Sequence, residues 1–342
     1  MATVAVVGLG AWGTALAAHA ARQGHAVRAW AREAEVVAEI NDRHENITFL
    51  QGVALPPGIA ATTDLAAAVA GAELVIMVPP SKHLRAVASG LKGRLLPGAL
   101  VAVATKGIEE ETGSLMSEVL AATLPEVPAG DVVFLSGPSF AREVATGLPT
   151  NVVAGCSGAG GGAVQRLLHA SRFRVYTSAD PVGVQVGGAV KNVIAVAAGA
   201  CDGMGMGTNA RAALITRGLA EITRLGVALG ANPLTFLGMS GVGDLILTCT
   251  GALSRNRELG LKVAEGVPPQ EHLARVRSVA EGYFNSASVR RLAQARGVDM
   301  PITEQVYQML HEGRPLKEAM QALLGREHKE ELLGISPGGS RA

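Results

Sequence analysis

The chain has 342 residues, of which 48% are hydrophobic, 17% charged and 3% aromatic, with a formal net charge of +1. At roughly 150 residues per domain this length suggests two domains with sizeable cores. So small a net charge excludes a global field for nucleic acid or a membrane surface, and the shortage of aromatic rings argues against a base-stacking surface.

Thr3 to Val7 reads as a short apolar strand that is already mature fold, so no signal peptide is expected. It runs into Gly8-Leu9-Gly10-Ala11-Trp12-Gly13 and then into a helical pattern from Thr14 to Gln23. This is G-x-G-x-x-G in the context of strand, turn and helix that a dinucleotide fingerprint requires. Gly8 makes the tight turn, Gly10 admits a pyrophosphate to the backbone, and Gly13 lets the helix pack on the strand. The helix N-terminus then offers unpaired N–H groups and a positive dipole end to the phosphates. A second strand spans Ala26 to Trp30, and the residues after it choose the cofactor. No acid stands directly at its end. Arg32 is placed to pair the 2′-phosphate of NADP(H), while Glu33 keeps NAD(H) open. The competing reading of Arg32 is a solvated surface charge.

Residues 34–44 read as a helix, Asn46 to Pro57 as a loop or short β excursion, and Asp64 to Ala70 as a helix. Leu74 to Val78 is a buried strand stopped by Pro79-Pro80 at the sheet edge where ligands bind. A helix from Ser81 to Leu91 and a strand from Leu100 to Ala104 follow. Lys106 therefore stands at a strand's carboxyl end, where a point charge suits an oxygen-rich substrate; an ordinary loop lysine is the alternative. Val132 to Leu135 leads into Ser136-Gly137-Pro138-Ser139-Phe140-Ala141, a tight loop with free N–H donors. Asn151 to Ala154 is a further strand, Gly155 to Gly162 a glycine-rich turn, Gln165 to Leu168 helical, and Phe173 to Tyr176 a last strand. The alternation predicts a Rossmann-like, doubly wound, mostly parallel α/β sheet.

After Asp180-Pro181 the strand signals stop and helical periodicity continues to about residue 325. The expected organisation is a dinucleotide-binding domain at 1–180, an all-helical substrate domain at 181–330 and a disordered tail at 331–342. Lys191 is the one charge between Val184 and Ala200, in a helix apolar nearly all round that should be central and buried. A buried ammonium is costly unless it is used or paired. Desolvation would draw its pKa down toward roughly 7–8, as suits acid/base work; a lysine that snorkels to the surface is the alternative. Asn209 to Leu229 is another long helix. Asp244 is a lone acid after three glycines. Ser254-Arg255-Asn256 reads as a phosphate receptor, or as a helix N-cap with a solvated arginine. Pro301 opens a helix. Cys156, Cys201 and Cys249 are odd in number and widely spaced, which fits small buried thiols in a reducing cytoplasm and neither a zinc site nor a disulfide framework. No uncharged apolar run reaches about 18 residues, so no membrane span is expected.

Together these segments resemble the bacterial NAD(P)-dependent sn-glycerol-3-phosphate dehydrogenases. The resemblance is carried in order by Gly8–Thr14, Ala104-Thr105-Lys106-Gly107, Ser136–Ala141, Gly188-Ala189-Val190-Lys191-Asn192, Asn209-Ala210-Arg211, Gly243-Asp244-Leu245, Ser254-Arg255-Asn256 and Glu281-Gly282. It implies interconversion of dihydroxyacetone phosphate and sn-glycerol 3-phosphate, feeding glycerophospholipid synthesis; the cysteine usage places the chain in the cytoplasm, and the apolar, aromatic-poor helical domain suggests a homodimer. The resemblance implies Lys191 as the catalytic acid/base. Substrate contacts would come from Lys106, Gly137, Ser139, Lys191, Asp244, Ser254, Arg255 and Asn256. Cofactor contacts, beside the glycine loop, would come from Trp12, Arg32, Lys106, Ala141, Arg255, Val279 and Glu281. Asn192 and Thr248 match positions near the substrate. Ala11 departs from the family, where serine is common, and loses one hydroxyl contact to the cofactor. A sibling two-domain hydroxy-acid dehydrogenase and a non-catalytic NAD(P) sensor are the rival readings; the phosphate receptor argues against the first and the buried lysine against the second.

Overall fold

A computed structural model of the chain describes residues 1–276 and 279–327; the tail expected at 331–342 lies outside the described residues. The chain divides into two compact units. One takes Met1–Lys106 and Ser114–Pro181, and the other takes Gly107–Gly113 and the chain from Val182 onward.

The first unit contains, in order, β1 (Thr3–Val7), α1 (Ala11–Arg22), β2 (Ala26–Trp30), α2 (Ala34–Arg43), α3 (Ile47–Leu50), β3 (Ile59–Thr62), α4 (Leu65–Val69), β4 (Leu74–Met77), α5 (Leu84–Ser89), β5 (Leu100–Val103), α6 (Met116–Thr123), β6 (Val132–Ser136), α7 (Ala141–Ala145), β7 (Thr150–Gly155), α8 (Gly160–Leu168) and β8 (Phe173–Ser178). The eight strands form one sheet in the order β3-β2-β1-β4-β5-β6-β7-β8. All neighbours run parallel except β6 and β7. The central strands are Val- and Ile-rich because both faces are covered: β4 is buried at every position. Val6 pairs with Ala29 on one side and Ile76 on the other, so the order reverses at β1 and β4. Crevices at such switch points, outside the carboxyl ends of the strands, are where open α/β sheets bind ligands.

Several local expectations change. Residues 47–50 form the short helix α3, because Asn46 caps it by accepting the Phe49 N–H at 2.9 Å; the β excursion is reduced to one bridge between Glu45 and Ala54. The expected glycine turn at 155–162 ends early, and Gly160-Gly161-Gly162 open α8. The sequence there is glycine-rich because the helix lies against backbone: a Cβ at Gly160 would come within 2.6 Å of the Gly130 carbonyl oxygen. Residues 81–91 split into a 3-10 turn and the six-residue α5.

The second unit is helical: α9 (Pro181–Gly203), α10 (Gly207–Ala228), α11 (Asp244–Thr250), α12 (Arg255–Ala264), α13 (Pro269–Arg275), α14 (Glu281–Ala295), α15 (Pro301–His311) and α16 (Leu316–Leu324). Gly107–Gly113 belongs to it, and Arg291 donates to the carbonyls of Glu110 and Glu111 at 2.5 and 3.1 Å. By length and composition α9 is the one described helix that could cross a membrane, yet 89% of its apolar window is buried in the fold. It is a core helix, hydrophobic on every side because every side is packed.

Candidate active site

In the sheet unit the glycine loop follows β1 directly. Gly8 adopts a φ of +106°, open to glycine alone, and a Cβ at Gly13 would lie 1.8 Å from the Gly8 carbonyl oxygen. Gly10 differs: a Cβ there would meet nothing within 4 Å. Bare backbone facing open space at the start of a twelve-residue helix with no side-chain cap leaves N–H donors for an anion. Trp12, on the first turn of α1, adds a buried Nε1–H that has no hydrogen-bond partner. An orphaned donor beside an uncapped helix start fits a group rich in acceptor oxygens. Arg32 lies two residues past β2 with a side chain 76% exposed, bonded to Glu33 Oε1 at 3.0 Å. It is an exposed surface charge paired with its sequence neighbour.

Lys106 and the Gly137 loop come together in the same unit. Lys106 Nζ and Ser139 Oγ both donate to the Gly137 carbonyl, at 3.1 and 2.9 Å, and Gly137 holds a φ of +127°. Ala141 opens α7, immediately after this loop.

In the helical unit Lys191 is 5% exposed, so it does not snorkel to solvent. Its ammonium forms an ion pair with Asp244 and donates to Thr248 Oγ1 at 2.9 Å; Thr248 in turn donates to the Asp244 carbonyl at 2.6 Å. Local packing explains how Asp244 arrives. A π-turn at Met239–Gly243 precedes α11, and a Cβ at Gly187, one helical turn before Lys191, would lie 2.2 Å from the Ser240 carbonyl oxygen. The turn rests on the bare backbone of α9 and delivers Asp244 at the start of α11. Two effects oppose each other at Nζ: burial disfavours the ammonium, and the adjoining carboxylate favours it. The simple lowering expected from the apolar helix therefore has a counterweight. The Cys249 thiol nearby is pushed up to about 12 by burial, so it supplies no thiolate at neutral pH.

A second buried network joins Asn192, the neighbour of Lys191, to the phosphate-receptor segment. Asn256 Nδ2 donates to Asn192 Oδ1 at 2.9 Å, and Asn256 Oδ1 accepts the Gly282 N–H at 2.8 Å. Ser254 caps α12 by accepting the Arg257 N–H at 3.2 Å, and Arg255, exposed, pairs with Glu258 at 2.9 Å. The cap takes up one first-turn donor of α12, the Arg257 N–H, and the Arg255 side chain stays exposed beside it. Glu281 begins α14, and Val279 is exposed just before it.

Sequence reasoning missed three polar groups. Asn285, fully buried, donates to the Ala189 carbonyl at 3.1 Å, two residues before Lys191. Asp202 near the end of α9 holds Arg211 and Arg257. Glu221, fully buried in α10, accepts the N–H groups of Ile302 and Thr303. A clue existed for Asp202, the second of only two charges in the 23 residues of α9. Among the described residues no cluster of His, Cys, Asp and Glu could hold a metal ion.

Comparison with known proteins gives a consistent result. The family model for the NAD-dependent glycerol-3-phosphate dehydrogenase N-terminus matches residues 3–160, and that for the C-terminus matches residues 180–321. The glycerol-3-phosphate dehydrogenase (NAD(P)+) of Geobacter metallireducens is 51% identical over 329 residues, 96% of this chain and 98% of that one. Its counterpart in Geobacter sulfurreducens is 50% identical over the same shares. The crystal structure of glycerol-3-phosphate dehydrogenase from Coxiella burnetii superposes with a TM-score of 0.91 at 40% identity, covering 95% of this chain and 99% of that chain.

Proposed function

The chain belongs to the NAD-dependent glycerol-3-phosphate dehydrogenase family, and on that premise we propose that Lys191 moves the proton in its reaction. It is an NAD(P)-dependent oxidoreductase that interconverts dihydroxyacetone phosphate and sn-glycerol 3-phosphate. When bound, the reduced nicotinamide supplies the hydride to the ketone carbon. Negative charge then develops on the carbonyl oxygen, and Lys191 Nζ gives that oxygen its proton; in the reverse direction Lys191 takes the proton from the secondary hydroxyl. The observation that carries this reading is the buried ion pair of Lys191 with Asp244, steadied by Thr248. Asp244 and Thr248 fix Nζ in one place, and the burial around them keeps bulk water from competing for the proton.

Arg255, Ser254 and Asn256 hold the phosphate in this reading. Arg255 is free to leave the exposed pair with Glu258, since such a pair is worth at most about 1 kcal/mol. Lys106, Gly137 and Ser139 are the substrate contacts assigned to the sheet unit. The glycine loop, Trp12 and Ala141 hold the dinucleotide there, and Val279 and Glu281 are the cofactor contacts of the helical unit, with Lys106 and Arg255 serving both ligands. Exposed Leu234 and Leu237 on one turn of the helical unit support a homodimer, and three free thiols support residence in the cytoplasm, where the product feeds glycerophospholipid synthesis.

The test is consumption of NADPH, and separately of NADH, with dihydroxyacetone phosphate as the only other substrate. Oxidation that depends on the phosphate is expected; tight cofactor binding without turnover would overturn the reading. Arg32→Ala is expected to lower NADPH affinity about tenfold and leave NADH within about twofold, because a charge-assisted phosphate contact is worth about 1.5 kcal/mol or more. Equal binding of NADPH by both proteins, measured by fluorescence titration, would remove Arg32 from the cofactor site.

A further inference from the structure

The segment read as the phosphate receptor is tied to the helix bearing Lys191 by groups the reaction does not touch. One face of α9 presents Asn192, Val196, Gly199 and Gly203 at helical spacing, and α12 presents Asn256, Gly260 and Ala264 against it. The approach is backbone on backbone. A Cβ at Gly260 would lie 2.0 Å from the Val196 carbonyl oxygen, one at Gly199 would lie 2.0 Å from the Arg257 carbonyl oxygen, and one at Gly203 would lie 2.5 Å from Ala264 Cβ. Polar ties hold the first turn of α12 at both ends of this seam. Asn256 bonds Asn192, and Arg257 forks onto Asp202 Oδ2 through Nε at 2.9 Å and Nη2 at 2.7 Å. The two anchor points on α9 are ten residues, about 15 Å, apart along the helix axis. Asp202 also receives Arg211 from α10, at 3.0 and 3.2 Å.

We propose that Asp202 is a positioning residue for the phosphate end of the substrate: through Arg257 it fixes the first turn of α12, and with it Arg255 and Asn256, in register on the helix that carries Lys191. The inference rests on Ser254-Arg255-Asn256 being the phosphate receptor. Its physical basis is that phosphate binding aids a distant reaction only if the two ends are held rigidly with respect to each other. A forked, charge-assisted contact supplies such rigidity: both arms converge on Asp202 Oδ2, and an asparagine there could still accept them at its amide oxygen but without the charge that strengthens the bonds, while its NH2 would face Arg211.

The experiment compares Asp202→Asn, Asp202→Glu, Arg211→Gln and Arg255→Ala with the parent, using dihydroxyacetone phosphate and unphosphorylated dihydroxyacetone. Asp202→Asn is expected to raise KM for the phosphorylated substrate about tenfold, the cost of one charge-assisted bond. Its kcat, its rate on dihydroxyacetone and its affinity for NADPH should stay within about twofold, and Asp202→Glu should recover part of the KM. Arg211→Gln removes the other partner of the same carboxylate and should leave KM nearly unchanged. Equal losses on both substrates, or a KM rise as large in Arg211→Gln, would reduce Asp202 to a structural ion pair and overturn the proposal. Should Asp202→Asn fail to fold, Arg257→Lys keeps the charge but loses the fork, and the same KM rise is expected. Arg255→Ala reports on the underlying reading alone: an unchanged preference for the phosphorylated substrate there would remove the receptor itself.

Discussion

Lys191→Ala is expected to lower kcat for reduction of dihydroxyacetone phosphate by 10²–10⁴, the range that a positioned proton donor contributes. Neither Cys249 nor Thr248 can stand in for it. Cys249 holds its proton far above neutral pH, and Thr248 already donates its hydroxyl proton to the Asp244 carbonyl. The variant carries a complication that follows from the same geometry. Removing Lys191 leaves the Asp244 carboxylate buried without its counter-charge, and breaking one side of a buried pair costs about 3–5 kcal/mol. Lost activity could then reflect lost fold.

The double variant Lys191→Met with Asp244→Asn separates the two effects. It replaces the pair by neutral groups of similar size, so its thermal midpoint should recover most of what Lys191→Ala loses, while its turnover stays at the level of the single variant. NADPH affinity, read by fluorescence, should stay within about twofold throughout, because neither Lys191 nor Asp244 is among the cofactor contacts assigned above. Near-normal kcat in the stable double variant would remove Lys191 from proton transfer. Turnover that recovered in step with stability would assign the lysine a structural role only.

What could be read in the sequence was what the chain encodes over short spans. Gly8, Gly10 and Gly13 lie within six residues, and each answers a steric demand visible in the fold: a positive φ, an open approach and a backbone contact. The apolar run around Lys191 announced a buried helix because nothing in it could face water. Elements without such a signature were missed. β3 reads Ile-Ala-Ala-Thr, with little β-branched content, and forms because Val27 to Trp30 offers it an edge in register. α6 begins without a polar N-cap, and its start is fixed by Glu118, which accepts the Leu115 N–H at 2.7 Å. The antiparallel turn of β7 against β6 has no local mark either. The candidate site shows the same division. Lys191 stood out by itself, but its partner lies 53 residues away and the partner of Asn192 lies 64 away, so both assemblies became visible at the sequence level only through resemblance to a family. Glu221 matters through partners 81 and 82 residues away, and Asp202 joins Arg211, 9 residues on, to Arg257, 55 residues on; neither carried a motif.

Glu221 sets a pH dependence of stability in the helical unit. It is fully buried in α10, and its carboxylate accepts the N–H groups of Ile302 and Thr303, at 2.5 and 3.2 Å, and the Thr303 hydroxyl at 3.0 Å. It thereby caps the first turn of α15. Burial raises its pKa from the ordinary 4.5 to about 7, against the pull of these three donors and of Arg224. The folded chain thus binds this proton more tightly than the unfolded chain. The stabilisation that results is complete below about pH 4.5 and is lost as the pH rises through about 7. At about 1.4 kcal/mol for each tenfold difference in proton affinity, the whole change is about 3 kcal/mol. Glu221→Gln removes the titration and keeps the size of the side chain. It can still accept at Oε1 but turns an NH2 toward the remaining donors, so at about pH 5 it should be the less stable protein by about 1–3 kcal/mol. Between about pH 5 and pH 8 the parent should lose about 2–3 kcal/mol relative to the variant, so the gap narrows or closes. Urea unfolding of both proteins across that range measures the difference directly. A gap that stayed constant with pH would mean that the three donors and Arg224 outweigh burial and that Glu221 is ionised throughout.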